Sequence, residues 1–393
     1  MNINIDVQYL CVNQEYIRGI PYYTASVLES LINRKNNVYT VSFCDKDKER
    51  DNRKYIERSL GKYIDPQNVF ENNELDYRRV LDGIRTNNNS LYNNKSYCEY
   101  YGIDTDILHF PTSLSIPQNI DRPTVVTVHD MIPVLPPLKH GLNANNLEVF
   151  KSSHKFIKKS RILCICDSKS TKNDLKNCFD IEEERLFVVP LGVSLDKFWP
   201  EPDRLALHSL NIYKPFLLFL GALDPRKGVD DIVTAFEFLR KNYDIQLVLA
   251  GTGEEWAKKT LYPLIEKSQY RSDIILTGYV SEEQKRCLLS TAEIFLFPSE
   301  YEGFGIPILE AMACGTPVIT GNTSSMPEVG GEAALYVTPH EPDDLIKSIK
   351  DLLDDKEKRE SLKNSGLNWC KNFTWDKTAS MTEEVYRIAY ERG

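Results

Sequence analysis

The sequence predicts an α/β protein made of two doubly wound domains in series. Three observations predict it. The chain has 393 residues, too many for one ordinary hydrophobic core; short apolar runs alternate with helical stretches; and the same order of elements restarts after residue 200.

In the first half, Ile3, Ile5 and Val7 alternate with the period of a strand over residues 3–9. A polar loop with Gly19 follows, then residues 22–31, which suit a helix. Apolar runs at 107–110, 124–128 and 162–166, with a helical stretch at 146–160, fit a parallel sheet covered on both faces. Between about 45 and 105 the pattern gives way to charge and Asn, and Asn87-Asn88-Asn89 and Asn93-Asn94 have the composition of a mobile loop. In the second half, residues 216–220 form an apolar run ending at Gly221, and Ile232, Ala235, Phe236 and Leu239 fall on one helical face. Further strands are expected at 246–250, 274–277, 294–297 and 317–320. Phe198-Trp199-Pro200-Glu201-Pro202 breaks regular structure, which places the domains at 1–195 and 196–375.

The net charge of -9 argues against a dedicated nucleic-acid binder. Residues 1–200 hold 26 basic and 26 acidic side chains, and residues 201–393 hold 22 and 31, so the acid excess lies in the second half. Nine cysteines with no CxxC pair read as reduced core residues of a cytoplasmic protein. The amino terminus shows no basic, apolar leader, and no window approaches the roughly 18 apolar residues of a membrane span.

Ligands of open α/β sheets bind outside the carboxyl ends of the strands, so chemistry is sought there, across a cleft between the two sheets. Glu302-Gly303-Phe304-Gly305-Ile306-Pro307 leads into a short helix closed by Gly315 and Pro317. Its N-terminus, with Gly303 and Gly305 allowing close approach, suits phosphate oxygens. Glu302 and Glu310 flank it, and two acids beside an anion site suit sugar hydroxyls. Singly, each would be a solvated loop charge or a favourable acid near a helix start; the Gly-Phe-Gly spacer and Pro307 turn the balance toward function. Arg226 and Lys227, in the run Gly221 to Gly228 after a strand, offer a planar fork and a point charge, the pairing that neutralises a departing diphosphate. His129 ends the apolar run 124–128, where it could donate to a sugar hydroxyl as a neutral ring or assist proton transfer. His109 ends another run and is read as a structural histidine. No HExxH, Gly-x-Ser-x-Gly or Gly-x-Gly-x-x-Gly occurs, so zinc protease, serine hydrolase and nicotinamide readings lack their local signals.

Glu302 through Glu310 resembles the E-x7-E motif of retaining glycosyltransferases of family GT4, which have the GT-B fold of two Rossmann-like domains. Gly251-Thr252-Gly253-Glu254, Gly278-Tyr279-Val280, Pro317-Val318-Ile319, Val128-His129-Asp130 and Val189-Pro190-Leu191-Gly192-Val193 resemble further landmarks of that family in order. The resemblance implies that Arg226 and Lys227, with Gly221, hold the donor diphosphate and that Glu310 holds the ribose. It implies that Tyr279 and Val280 touch the base, and that Glu302, Gly303, Phe304, Gly305 and Ile306 hold the donor sugar and its phosphate. His129 would stand near the transferred sugar, and Gly19 and Asp130 would lie on the acceptor side. The first loop reads Arg18-Gly19-Ile20-Pro21 where many relatives carry a glycine pair.

The expected activity is transfer of a hexose from a nucleotide-diphosphate sugar to a glycan or lipid-linked saccharide in surface polysaccharide assembly, by front-face substitution. GDP-mannose is placed ahead of UDP-glucose and UDP-N-acetylglucosamine. No cofactor or metal is expected, since no Asp-x-Asp is read at a strand end. A sugar-nucleotide epimerase and a non-catalytic sugar-nucleotide-binding partner are the alternatives. Lys151, Lys155 and Lys158 share one helical face, read as solvated or as a contact with an anionic membrane surface. The last helix, about 376–393, resembles the family's segment that crosses back onto the first domain.

Overall fold

The computed structural model describes residues 1–12, 19–44, 56, 64–72, 95–135, 144–203 and 206–393. The Asn-rich runs at 87–89 and 93–94 lie outside the described residues. The chain divides into two compact units: Met1–Leu191 together with Trp375–Gly393, and Gly192–Thr374.

The first unit is built on seven parallel strands: β1 (Asn2–Asp6), β2 (Val38–Cys44), β3 (Val69–Asn72), β4 (Ile107–Phe110), β5 (Thr124–Val128), β6 (Leu163–Cys166) and β7 (Leu186–Val188). Their order is β3-β2-β1-β4-β5-β6-β7. That order reverses direction beside β1, which makes the β1/β4 edge the switch point where ligands of such sheets bind. Every residue of β4, β5 and β6 is buried, as expected of parallel strands covered by helices on both faces. The helices include Ile20–Arg34, Ala144–Lys159, Lys169–Phe179 and the C-terminal Trp375–Arg392. The last packs against Ile20–Arg34, where Arg34 donates to Glu383 at 2.9 Å and to Asp376 at 2.6 Å.

The second unit repeats the plan with six parallel strands: β8 (Phe216–Leu220), β9 (Gln246–Ala250), β10 (Ile274–Gly278), β11 (Ile294–Phe297), β12 (Val318–Gly321) and β13 (Ala334–Val337). The order is β10-β9-β8-β11-β12-β13, so the switch point lies between β8 and β11. Phe295 and Phe297, 5.9 Å apart by ring centroids, and Phe219, 6.3 Å from Phe297, fill the core beside it.

Several sequence expectations need correction. The strand expected over 3–9 stops at Asp6, because Gln8–Val12 turns into a short helix. Not every cysteine is a core residue: Cys178 is exposed on the helix Lys169–Phe179 and Cys287 is half-buried, while Cys98, Cys164, Cys166, Cys314 and Cys370 are buried thiols. Since β2 ends at Cys44, Asp45-Lys46-Asp47 is an Asp-x-Asp after a strand; it lies outside the described residues. Among the described residues no helix is long and apolar enough to cross a membrane.

Candidate functional site

In the second unit, the loops at the carboxyl ends of β8, β9, β10 and β11 gather most of the residues singled out from sequence. Asp224 accepts the Arg226 backbone N–H at 3.0 Å and so starts a tight turn over Pro225–Lys227. Gly228 closes that turn with φ +63, and a Cβ there would stand 3.0 Å from the Pro298 carbonyl oxygen. The turn therefore lies directly against the loop after β11. Gly251 is held closer still: a Cβ would meet the Gly221 carbonyl oxygen at 1.8 Å, so only glycine permits this approach of the two strand ends. Gly251 also bridges Gly278, which brings Tyr279, half exposed, and Val280 to the same edge.

Here Arg226 and Lys227 meet Glu302. Arg226 Nη1 lies 3.2 Å from Glu302 Oε1, and Lys227 Nζ donates to the same oxygen. Arg226 also donates to the Tyr301 carbonyl, and Lys227 Nζ stands 4.8 Å above the Phe297 ring. All three charged side chains are close to nine-tenths buried. Burial works to raise the Glu302 carboxyl, but the Lys227 and Arg226 charges override it and hold it below the usual carboxylate range. Burial, joined by the like charge of Arg226, draws Lys227 downward despite Glu302. The group is an ionised carboxylate shared by two cations in a place of low solvent access.

The Glu302 loop is fixed from β12's side. Its N–H donates to Ser324 Oγ at 2.9 Å, and the buried Ser325 hydroxyl donates toward the carbonyls of Glu302 at 2.9 Å and Phe304 at 2.7 Å. Gly303 is half-buried, Phe304 is buried, and Gly305, with φ +108, starts the helix Ile306–Ala313 without any side chain capping its N-terminus. Glu310 is held elsewhere than Glu302. It is buried on that helix and paired with Lys285 of the helix Glu282–Thr291. No motif in the sequence pointed to Lys285.

In the first unit, His129 follows β5 and is engaged on both ring nitrogens. Nδ1 lies 2.7 Å from Asp167 Oδ2 and Nε2 lies 2.8 Å from the Pro111 carbonyl oxygen. Burial would lower this histidine, but Asp167, with the Pro111 carbonyl and Asp130, outweighs it and the net direction is upward. With an acceptor facing each ring nitrogen, the ring is a brace tying the ends of β4, β5 and β6 together. Both ring nitrogens are thus engaged by protein groups, and a sugar hydroxyl could reach the ring only in place of one of them. Asp167, immediately after β6, carried no sequence signal of its own, and its Oδ1 is buried without a hydrogen-bond partner.

Asp130 accepts the Ile132 N–H at 2.9 Å and shapes the turn after His129. Gly19 begins the helix Ile20–Arg34 at φ +55, with open space where a Cβ would be. A residue that sequence reasoning missed is Asp6 at the end of β1. Burial raises its carboxyl to about 7 against the bonds from Gln8 N and Tyr97 Oη, which tend to lower it. On the helix Ala144–Lys159, Lys151 pairs with Glu148 at 3.1 Å and Lys158 pairs with Asp180, so two of the three same-face lysines have acidic partners.

The chain is built of two doubly wound α/β units, and one carries a buried Arg–Lys–Glu cluster beside an uncapped helix N-terminus at the strand ends where such sheets bind ligands. A family model described as Glycosyltransferase Family 4 matches residues 17–197, and one described as Glycosyl transferases group 1 matches residues 208–369. The chain belongs to the GT4 glycosyltransferases and has their GT-B fold. It is 28% identical over 288 residues to the O-antigen chain mannosyltransferase B of Escherichia coli, covering 72% of this chain and 74% of that one. It is 34% identical over 230 residues to an MMP alpha-(1->4)-mannosyltransferase of Mycolicibacterium hassiacum, covering 57% and 54% respectively, so the match spans about half of that relative. Among solved structures, sucrose-phosphate synthase from Thermosynechococcus elongatus superposes with a TM-score of 0.73 at 18% identity over the full length of both chains. WaaG, a glycosyltransferase involved in lipopolysaccharide biosynthesis, gives 0.68 at 16% identity, covering 98% of this chain and 99% of that one.

Proposed function

We propose that this glycosyltransferase moves a hexose, mannose before others, from a nucleotide-diphosphate sugar to a saccharide acceptor in surface polysaccharide assembly. The observation that carries the donor reading is the meeting of Arg226 and Lys227 at the β8/β11 switch point. There, two largely buried cations, beside an uncapped helix N-terminus, can take up the charge that develops on a departing diphosphate. Mannose is favoured because the relatives from Escherichia coli and Mycolicibacterium hassiacum are named as mannosyltransferases. A nucleotide donor is supported by Anabaena HepE, whose structure was solved with UDP and glucose and superposes with a TM-score of 0.73 at 15% identity.

In this reading the acceptor hydroxyl attacks the anomeric carbon on the face from which the diphosphate leaves. The bond to the leaving oxygen breaks, the new glycosidic bond forms, and the hydroxyl proton passes to the leaving phosphate. The configuration is retained. Glu302 orients the donor and balances charge without bonding to carbon, and Arg226 and Lys227 supply the positive charge that a metal ion would otherwise bring.

A thermal-shift panel of GDP-mannose, UDP-glucose and UDP-N-acetylglucosamine tests the donor, since a ligand of the native state raises its melting temperature. A clear shift with GDP-mannose alone is the expected result, and a shift confined to a uridine donor would overturn the mannose assignment. Transfer to acceptor after exhaustive chelation tests the charge argument: activity that disappears and returns with Mg²⁺ or Mn²⁺ would refute metal independence.

A further inference from the structure

We propose that Lys285 is a positioning residue for ribose recognition, holding the Glu310 carboxylate in the orientation that accepts the sugar hydroxyls of the nucleotide. The inference rests on the reading of Glu310 as the ribose ligand and names a residue outside every motif that carried that reading.

Glu310 leaves the helix Ile306–Ala313 with only 3% of its side chain exposed. Lys285 reaches it from the helix Glu282–Thr291. Nζ donates to Oε1 at 2.6 Å and lies 2.5 Å from Oε2. The ammonium is itself seated 5.0 Å above the ring of the buried Phe198, which limits where it can go. Although Oε2 is close to Nζ, it accepts no hydrogen bond of good geometry and is buried without another partner. The ammonium thus sits against both carboxylate oxygens, and Oε2 takes no further bond.

Such an arrangement selects its ligand. A carboxylate oxygen has more than one lone pair, so beside the ammonium it can still accept from a hydroxyl while its charge repels a phosphate, and a vicinal diol offers two hydroxyl donors on neighbouring carbons. A buried carboxylate with no counter-charge would be costly and free to turn to another rotamer. Lys285 removes both problems, and the two helices that carry the pair are packed against each other. The ammonium acts through Glu310 and touches no reacting atom.

The test uses the full chain and four probes: GDP, 2′-deoxy-GDP, UDP and 2′-deoxy-UDP, titrated by calorimetry. Wild type is expected to bind the ribonucleotide of its preferred base at least tenfold tighter than the deoxy form, the scale of one hydrogen bond to a charged group. Glu310→Gln should remove most of that preference. Lys285→Met should lower it about tenfold, and Lys285→Arg, which keeps the charge, should restore it in large part; melting curves verify that each variant is folded. A purely structural role for Lys285 would change the melting temperature and leave the ribose preference alone, which would overturn the proposal. If Glu310→Gln keeps the preference, or wild type shows none, the ribose reading of Glu310 falls and the proposal with it. If Glu310→Gln loses the preference and Lys285→Met keeps it, only the assignment of Lys285 is wrong.

Discussion

His109 and Tyr386, 277 residues apart in sequence, share a buried hydrogen bond of 2.6 Å between Nδ1 and the phenol oxygen. The other ring nitrogen of His109 lies 3.0 Å from Thr127 Oγ1, which in turn lies 2.9 Å from the Tyr23 hydroxyl. The Tyr23 ring meets the His129 ring edge-on at 4.8 Å. A chain of buried polar groups thus runs from the C-terminal helix through the sheet to the brace at the end of β5. Every member needs its neighbour, because an unpaired polar group inside a core keeps the full cost of losing water.

Tyr386→Phe is therefore expected to destabilise the protein by about 1–3 kcal/mol, the cost of leaving a buried partner unsatisfied. Urea unfolding measures it, and hydrogen exchange should show the helix Trp375–Arg392 opening more readily. A change within error of zero would mean that His109 finds another partner and that the chain of bonds does not bind this helix to the sheet.

The same burial links stability to the titration of two histidines. Burial lowers His109 from 6.5 to about 3, with the His129 charge acting in the same direction, and lowers His154 from 6.5 to about 4 against its bond to the Phe150 carbonyl. Between those values and 6.5 the unfolded chain binds protons at these positions and the folded chain does not. The stability these two histidines contribute therefore falls as the pH drops below about 6.5, while Asp6, whose carboxyl is raised, contributes in the opposite direction. His154 lies between Phe150 and Phe179, with ring centroids at 4.1 and 4.7 Å, and its Nε2 has no hydrogen-bond partner. His154→Phe keeps the stack and removes the titrating group, so its melting temperature should decline less than wild type's between pH 7 and pH 5. Parallel declines would refute the assignment.

Asp167→Asn keeps the shape of the brace and removes its charge. Because Asp167 is what draws His129 upward against burial, the His129 titration should move to lower pH in this variant, read from its imidazole proton resonances. Should the midpoint stay where it is, Asp167 only holds the ring in place and does not favour its charged form.

The sheets were legible where strands are apolar on both faces, as in β5 and β11, because a fully buried parallel strand leaves a continuous apolar run. β2 was not legible: Val38-Tyr39-Thr40-Val41-Ser42 mixes in polar groups, and its Ser42 is satisfied by Asn4 and Tyr97 only once the sheet is assembled. At the site, Glu302, Arg226 and Lys227 were legible because glycine and proline punctuate their loops at fixed spacing. Lys285 and Asp167 were not, since each acts through a partner distant in sequence, and a lysine on an exposed-looking helix or an aspartate before a cap residue carries no local mark. His129 was legible in place but not in state: the carbonyl of Pro111 that takes up its Nε2 belongs to another strand end.

The Glu302 carboxylate pairs with Arg226 and Lys227, the two cations proposed to hold the donor diphosphate, so on that proposal a diphosphate would compete with it for them. This separates binding from transfer. Glu302→Gln removes the competing charge and is expected to bind the bare nucleoside diphosphate more tightly, by about tenfold on the scale of a charge-assisted bond. Lys227→Met should bind it more weakly. Transfer should fall in both, by roughly 10²–10³ in kcat if each group acts on charge that develops only as the bond breaks. Calorimetry with the diphosphate and initial rates with the full donor give the two readings. Weaker diphosphate binding by Glu302→Gln would show that the carboxylate holds Arg226 and Lys227 in place for the ligand and does not stand in for it.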